Sequence, residues 1–256
     1  MRDPAHLQAR KLEPGQLVPK ERRTCSFFSR FFFKALLAIS CLFGAGAQAN
    51  AISIAVWDFD NHEVNHSSAP ALSPLSRALS ELLVEQLLFY PAVQVVERMR
   101  LREILDEQKL GSSDLADEDA RIRLGRIAGA QYMIFGSLIS LGDYSRVDVR
   151  LVSVQTSQIL TAHEASAKTD DLGTAMEDVA RTLATSIGHG KTNSGNIHSP
   201  NATPATLMLF DQGLALMDQK AFIAAIDVFK KILTNSAGFA PAERQLQIAL
   251  ENLTRQ

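Results

Sequence analysis

Residues 131–154 read QYMIFGSLISLGDYSRVDVRLVSV. The first ten form an apolar, β-branched run that is long enough for a buried strand. Gly142 and Asp143 mark a turn, and from Arg146 to Val154 apolar and charged side chains alternate. Such alternation is typical of a strand with one buried face and one face in water. This stretch therefore predicts two strands joined by a tight turn.

The segments around these two strands predict a mixed α/β domain of the α+β kind. The periodicity predicts further strands at residues 52–59, 93–96 and 159–166, and helices at residues 74–90, 99–108, 117–128 and 170–187. Asp117, Glu118 and Asp119 open one of these helices, where the helix dipole favours acidic residues. We expect a mixed sheet with helices packed mainly on one face.

The C-terminal part of the chain has a different pattern. Residues 188–205 are rich in Gly, Asn, Ser, Thr and Pro, which is typical of a linker. Three amphipathic helices are predicted at about residues 206–218, 220–234 and 241–254. The predicted organisation is a leader at 1–49, an α/β domain at 50–190, a linker at 191–205 and a small all-α module at 206–256.

The N-terminal 49 residues have the features of a secretory leader. Basic residues precede an apolar run that ends at small residues, with Ala47-Gln48-Ala49 as a cleavage site. The run is shorter than the roughly 20 residues that a membrane-spanning helix needs. Cys41 follows Ala38-Ile39-Ser40 in a segment that resembles a lipoprotein signal, and it is a candidate for lipidation. We expect a periplasmic protein, and acylation of Cys41 would tether it to the outer membrane.

Charge and cysteine content exclude several functions. Residues 1–49 carry eight Lys and Arg against three Asp and Glu, whereas residues 50–256 carry eighteen against twenty-five. The acidic body has no broad basic surface, so we expect no nucleic-acid partner. Both cysteines, Cys25 and Cys41, lie in the head. A chain cleaved after Ala49 therefore has no disulfide scaffold, cysteine-ligated zinc site or cysteine nucleophile.

One motif would fit a zinc hydrolase. His62, Glu63 and His66 match the H-E-x-x-H pattern, in which a helix aligns two zinc-binding imidazoles and the Glu activates a water. Glu85, nineteen residues beyond His66, is a candidate third ligand. The motif lies in a segment predicted to be a loop, so we expect no metal, no cofactor and no enzyme activity. The zinc hydrolase remains an alternative.

Four blocks of sequence, in order, resemble the CsgG-type family, named for the curli production assembly/transport component. They are IAVWDF at residues 54–59, VVER at 95–98 leading into LREILDEQKL at 101–110, GAQYMIFGS at 129–137, and VDVRLVSVQT at 147–156. Lipoprotein activators of peptidoglycan synthases and the N-terminal domain of the TolB translocation protein have related folds. The resemblance covers about residues 52–187.

The resemblance implies a non-enzymatic assembly factor that binds envelope proteins and forms homo-oligomers. The loop from Asn61 to Ser73 is one candidate contact surface. The alternative within the family is a subunit of an outer-membrane secretion channel. Such subunits contribute long amphipathic hairpins, whereas residues 141–146 here predict only a tight turn. The Glu97-Arg98 pair in the second block is expected to be a local ion pair that orients the next helix.

The C-terminal helices resemble a tetratricopeptide-like repeat. Gly213, Ala225 and Phe229 have the spacing of the repeat's Gly, Ala and aromatic positions, and Leu216 occupies its tyrosine position. Small residues allow two helices to approach closely while the Phe fills the gap between them. The resemblance implies that the helical face around these four residues binds a protein or peptide partner. One helical pair and a third helix are fewer than a free-standing solenoid requires.

Overall fold

The computed structural model describes residues 51–63, 75–108, 117–141, 143–188 and 202–255. The leader with Cys41, residues 64–73 of the predicted contact loop, and residues 189–201 of the predicted linker lie outside this part of the chain. For residues 61–63, 140 and 141 only the backbone is described.

The described residues contain six strands and seven helices, which confirms the predicted α+β class with a helical C-terminal part. The strands are β1 Ile52–Val56, β2 Asp60–Glu63, β3 Val93–Val95, β4 Tyr132–Leu141, β5 Tyr144–Ser153 and β6 Ile159–Lys168. The helices are α1 Ser76–Leu87, α2 Arg98–Gln108, α3 Glu118–Ile127, α4 Leu172–Ser186, α5 Pro204–Asp218, α6 Phe222–Asn235 and α7 Ala240–Thr254.

The strands form one mixed sheet in the order β3-β1-β4-β5-β6, with β2 paired to β4. β3, β1 and β2 run parallel to their neighbours, whereas β4, β5 and β6 form an antiparallel meander. Leu141 pairs with Tyr144, so a two-residue turn joins β4 to β5. The two strands and the tight turn predicted for residues 131–154 are therefore confirmed.

The first predicted strand is shorter than expected, and the segment after it is not simply a loop. β1 ends at Val56, and β2 continues along the same side of β4 into the predicted loop. Val56 pairs with Ile134 and Asp60 with Ser137. Three residues therefore separate β1 from β2 where β4 has only two, so the chain between β1 and β2 contains one extra residue. The prediction of an unbroken strand to residue 59, followed directly by a loop, was wrong because alternation alone does not show such an interruption.

Phe59 explains why the chain leaves the sheet between β1 and β2. Its side chain is buried, and its ring lies directly over Gly136 of β4. A Cβ at position 136 would lie 2.6 Å from ring carbons of Phe59. Only glycine therefore leaves room for this ring.

Helices cover both faces of the sheet, so the expectation of helices mainly on one face was only partly right. On one face, Ile54 and Ile134 belong to the main core with α1 and α4. On the other face, Ala55 and Met133 pack with Leu101 of α2 and with α3. We call the second face the α3 face. α3 covers the end of β5 at Val152, whereas Arg146, Asp148 and Arg150 of β5 and Glu164 of β6 are polar and not buried.

Helix α1 is covered on two sides. Nine of its twelve residues are buried, because α1 and α4 pack on the sheet while α5 and α7 pack on α1. The main apolar core consequently runs without interruption from Ile54 in β1 to Ala249 in α7. Residues 49–256 form one compact unit, and α5 begins at Pro204, two residues before the predicted start of the helical module.

The N-terminus of α1 is capped by a residue from a distant helix. The local N-cap position is Leu75, whose side chain makes no capping bond. Asp211 of α5 accepts hydrogen bonds from the backbone N–H groups of Arg77 (2.9 Å) and Ala78 (3.1 Å), and it pairs with the Arg77 guanidinium at 2.5 Å. A carboxylate at a helix N-terminus satisfies free N–H groups and interacts favourably with the helix dipole.

We predict that Asp211→Ala destabilises the protein by about 3–5 kcal/mol, because it leaves buried donors and an arginine without their partner. Asp211→Asn should lower the free energy of unfolding by less, since the amide oxygen can still accept a backbone hydrogen bond. The measurement is the free energy of unfolding in urea. Asp227→Ala, on the exposed side of α6, is the matched control. If Asp211→Ala and Asp227→Ala lowered the free energy of unfolding equally, the capping role of Asp211 would be contradicted.

Candidate functional site

The C-terminal residues predicted to bind a partner are mostly inside the protein. Gly213, Ala225 and Phe229 are buried, and Leu216 is partly buried. A Cβ at position 213 would overlap the Phe229 ring. The expected close packing of small residues and Phe is therefore present, but buried side chains cannot line a contact surface. This part of the prediction is corrected: any partner surface on these helices uses exposed residues, such as Ile223, which is 66% exposed.

The structure does not bring the H-E-x-x-H residues onto a helix. His62 and Glu63 lie on strand β2, and His66 lies outside the described residues. Glu85, the candidate third ligand, lies on α1 and pairs with Arg244 of α7 at 3.3 Å. Within the described ranges, no three His, Cys, Asp or Glu side chains are grouped as metal ligands.

Arg98 connects three parts of the fold. Its side chain is buried and pairs with Asp58, which follows β1, and with Asp218 of α5 at 2.6 Å. Arg102, one turn further along α2, pairs with Asp58 at 2.7 Å and with Asp218 at 3.3 Å. The expected local pair between Glu97 and Arg98 was wrong, because two acids from distant parts of the chain meet Arg98 instead.

A second ionic cluster lies between α1 and α7. Glu81 is buried and accepts hydrogen bonds from Arg244 and from Gln245 (2.9 Å). Arg244 also pairs with Glu85 at 3.3 Å and lies 3.6 Å from Glu97. Burial raises the pKa of Glu81 above its ordinary value, and the positive charge of Arg244 opposes part of that rise.

Sequence reasoning missed both Glu81 and Asp211 as structural residues. Each is an acid among the apolar residues of an amphipathic helix, and this position was the available signal. Burial raises the pKa of Asp211 as well, with Arg77 opposing the rise. The ion pair between Asp211 and Arg77 links α5 to α1, and the ion pair between Glu81 and Arg244 links α7 to α1.

We predict a pH signature for Glu81. Because its pKa is raised in the folded protein, the folded state binds the Glu81 proton more tightly than the unfolded chain does. The contribution of Glu81 to stability is therefore greatest at low pH and falls as pH rises from about 4.5, its ordinary pKa. In Glu81→Gln this fall should disappear, so that the variant gains stability relative to the wild type as pH rises.

The measurement is urea unfolding of the wild type and of Glu81→Gln from pH 4 to pH 8, with the difference between the two unfolding free energies as the readout. Glu251→Gln, on the exposed side of α7, controls for the substitution itself. A difference that stays constant across this range would contradict the prediction.

A further polar site is the part of the α3 face that α3 leaves uncovered, which we call the open face. It is a groove of about 440 Å³ whose lining includes Phe135, Ser137, Arg146, Asp148, Arg150, Ala162 and Glu164. Arg146, Asp148 and Arg150 follow each other at every second position of β5, about 6.6 Å apart along the strand. The predicted charged solvent face of this strand is confirmed.

The charges of the open face are held in place by one another. Arg146 pairs with Asp148 at 2.8 Å and with Glu164 of β6 at 3.0 Å. Arg150 pairs with Glu118 of α3 at 2.6 Å and lies over the Phe135 ring at 5.7 Å. Both arginines remain partly exposed, so the groove presents alternating charges in a fixed arrangement to a partner.

None of the described helices has the length and apolar character needed to cross a bilayer. Residues 42–146 match the family model for the curli production assembly/transport component CsgG. This match confirms the resemblance predicted from the sequence over that part of the chain. The family supports an envelope-associated role in protein interaction.

Several solved structures resemble the chain at low identity. The C-terminal domain of LpoB from Salmonella enterica is 19% identical, with a TM-score of 0.40, and the match covers 51% of this chain and 92% of that domain. Lipoprotein GNA1162 from Neisseria meningitidis is 16% identical, with a TM-score of 0.39 and coverage of 53% and 98%.

The PelC dodecamer from Paraburkholderia phytofirmans is 9% identical, with a TM-score of 0.34 and coverage of 56% and 91%. At these identities and TM-scores, none of the three similarities bears on function. No curated protein shows significant sequence similarity to the chain.

Proposed function

We propose that this chain is a non-enzymatic assembly or binding protein of the cell envelope, which contacts a partner protein through the open face. The observation that carries the proposal is the preorganised row of alternating charges on β5, beside a partly exposed groove in a protein with a CsgG-type sequence. The similarity to the CsgG family supports a role in the cell envelope and in protein binding. The open face is the surface that we propose for this binding.

The balance of charge on the open face favours a protein partner. Three acids, Asp148, Glu164 and Glu118, pair with the two arginines Arg146 and Arg150. Charges of both signs in fixed positions favour a partner with the complementary pattern and penalise other partners. The charge pattern fits an extended segment that carries acidic and basic side chains at every second position.

Crosslinking in the native envelope tests this proposal. A photoreactive phenylalanine analogue at Ala162, an exposed position lining the groove, should crosslink a discrete envelope protein. The same analogue at Ile223 on α6 serves as the positional comparison. Reversing both arginines, Arg146→Glu with Arg150→Glu, should reduce the Ala162 crosslink at least tenfold, because attraction at two positions becomes repulsion.

The matched control reverses two exposed lysines on α6, Lys230→Glu with Lys231→Glu, and should leave the crosslink unchanged. Urea unfolding of each variant separates loss of binding from loss of the fold. A crosslink that survives reversal of the arginines, or that disappears equally with the lysines, would contradict the role of the open face.

The proposal includes a membrane tether at Cys41. The family match begins at residue 42, immediately after this cysteine, and it includes residues 42–49, which cleavage after Ala49 would remove. A mature chain that begins at Cys41 keeps the whole matched region. Residues 41–50 would then form a leash of about ten residues between the lipid and the folded domain.

We predict that the protein recovered from membrane fractions begins at Cys41 and carries the added mass of acyl chains. Intact-mass spectrometry of separated membrane and periplasmic fractions measures this directly. Cys41→Ser should remove the acyl mass and release the protein from the membrane fraction. A wild-type chain that begins at Asn50 and lies in the periplasmic fraction would contradict the tether, but it would leave the proposal for the open face intact.

A further inference from the structure

Strand β6 is an edge strand that keeps one side unpaired. Among the described strands it pairs only with β5, so its outer side presents backbone N–H and C=O groups without a strand partner. α4 packs on one face of β6, where His163 contacts Asp178 at 2.7 Å. On the α3 face, Glu164, Ser166 and Lys168 are exposed. The edge is thus held in position by the fold and remains accessible.

We propose that β6 pairs antiparallel with β6 of a second copy of this chain, around a two-fold axis at Ser166. The pairing would join the two sheets into one. It gives the self-association predicted from the sequence a defined surface, and it does not depend on whether the open face binds another protein.

The charges along β6 select the register. A two-fold axis normal to the sheet places side chains of the same face opposite each other, so each register is defined by the residue on the axis. With Ser166 on the axis, Glu164 of each copy faces Lys168 of the other. Both pairs are then of opposite charge, and the small residues Ala165 and Ala167 face each other on the other side of the sheet.

Neighbouring registers lack this complementarity. An axis at Glu164 or at Lys168 places two like charges directly opposite, and an axis at Ala167 places Glu164 opposite Asp170. Axes at His163 and Ala165 leave both Glu164 and Lys168 facing uncharged residues. Opposite charges directly across two strands are stabilising, whereas like charges are destabilising, so the Ser166 register is favoured.

Within one protomer, the acidic and basic side chains around Arg146 do not balance. Arg146 serves two acids at once, Asp148 at 2.8 Å and Glu164 at 3.0 Å, so this cluster has one negative charge in excess. Lys168 is exposed and makes no ion pair among the described residues. In the proposed dimer, Lys168 of the second copy supplies the cation that this cluster lacks.

Charge reversal tests the proposed contact. The protein is the processed chain purified from the envelope, and sedimentation equilibrium measures its dimer dissociation constant. Glu164→Lys alone or Lys168→Glu alone converts two attractive pairs into two repulsive ones, and each should weaken dimerisation at least tenfold. An equimolar mixture of these two variants should form a heterodimer about as tight as the wild-type dimer, because both cross-strand pairs are again of opposite charge.

Lys231→Glu on α6 is the matched control and should leave the dissociation constant unchanged. A monomeric wild type at all accessible concentrations would overturn the proposal. So would single variants that still dimerise like the wild type, or a mixture that fails to form a heterodimer. Because this experiment contains only the one protein, its outcome is separate from that of the crosslinking experiment on the open face.

A disulfide tests the position of the axis. Residues directly opposite in an antiparallel pair have Cα atoms about 4.5–5.5 Å apart, which a disulfide can span. Ser166→Cys should therefore form a disulfide-linked dimer in the oxidising envelope, seen on a non-reducing gel. Ala162→Cys, on the same face of the same strand, should remain at the level of the wild type. Equal crosslinking at both positions would contradict the register.

Discussion

Helix α1 is buried on two sides, and this burial joins the sheet to the C-terminal helices. A helix that packed only on the sheet would keep one face in water, but α1 buries nine of twelve residues between the sheet and the C-terminal helices. Its N-terminus has no local cap and is completed by Asp211 of α5. The C-terminal helices are therefore part of the core of this protein, and the α/β part and the helical part share one apolar interior.

Polar groups inside this interior follow one rule: each buried acid of the interface between helices meets an arginine. Asp211 meets Arg77, and Glu81 meets Arg244. Burying a charge is costly unless it is paired, and removing one member of such a pair costs more than the pair contributes. These two pairs join α5 and α7 to α1 at defined positions.

Acids and arginines also form ion pairs at the surface, but there they contribute little to stability. On the open face the pairs are exposed, so each contributes little to stability. Their alternation instead creates a pattern that a partner can match. The cluster at Arg146 is not balanced within the protomer, and the edge of β6 next to it is unpaired. The open face and the β6 edge are the two surfaces at which we propose that other chains bind.

Most helices and strands could be predicted from the sequence, because hydrophobic periodicity is a local property. It predicted the β4–β5 hairpin with its turn at Gly142 and Asp143, the three C-terminal helices, and the close contact of Gly213 with Phe229. The family resemblance came from the same local blocks. The contacts between residues that are far apart in the sequence became apparent only from the packed fold. Arg98 pairs with Asp218 rather than with Glu97, Asp211 caps a helix that begins 135 residues before it, and His62 lies on a strand. Such partners depend on how distant helices and strands pack together. Short-range sequence patterns do not contain this information.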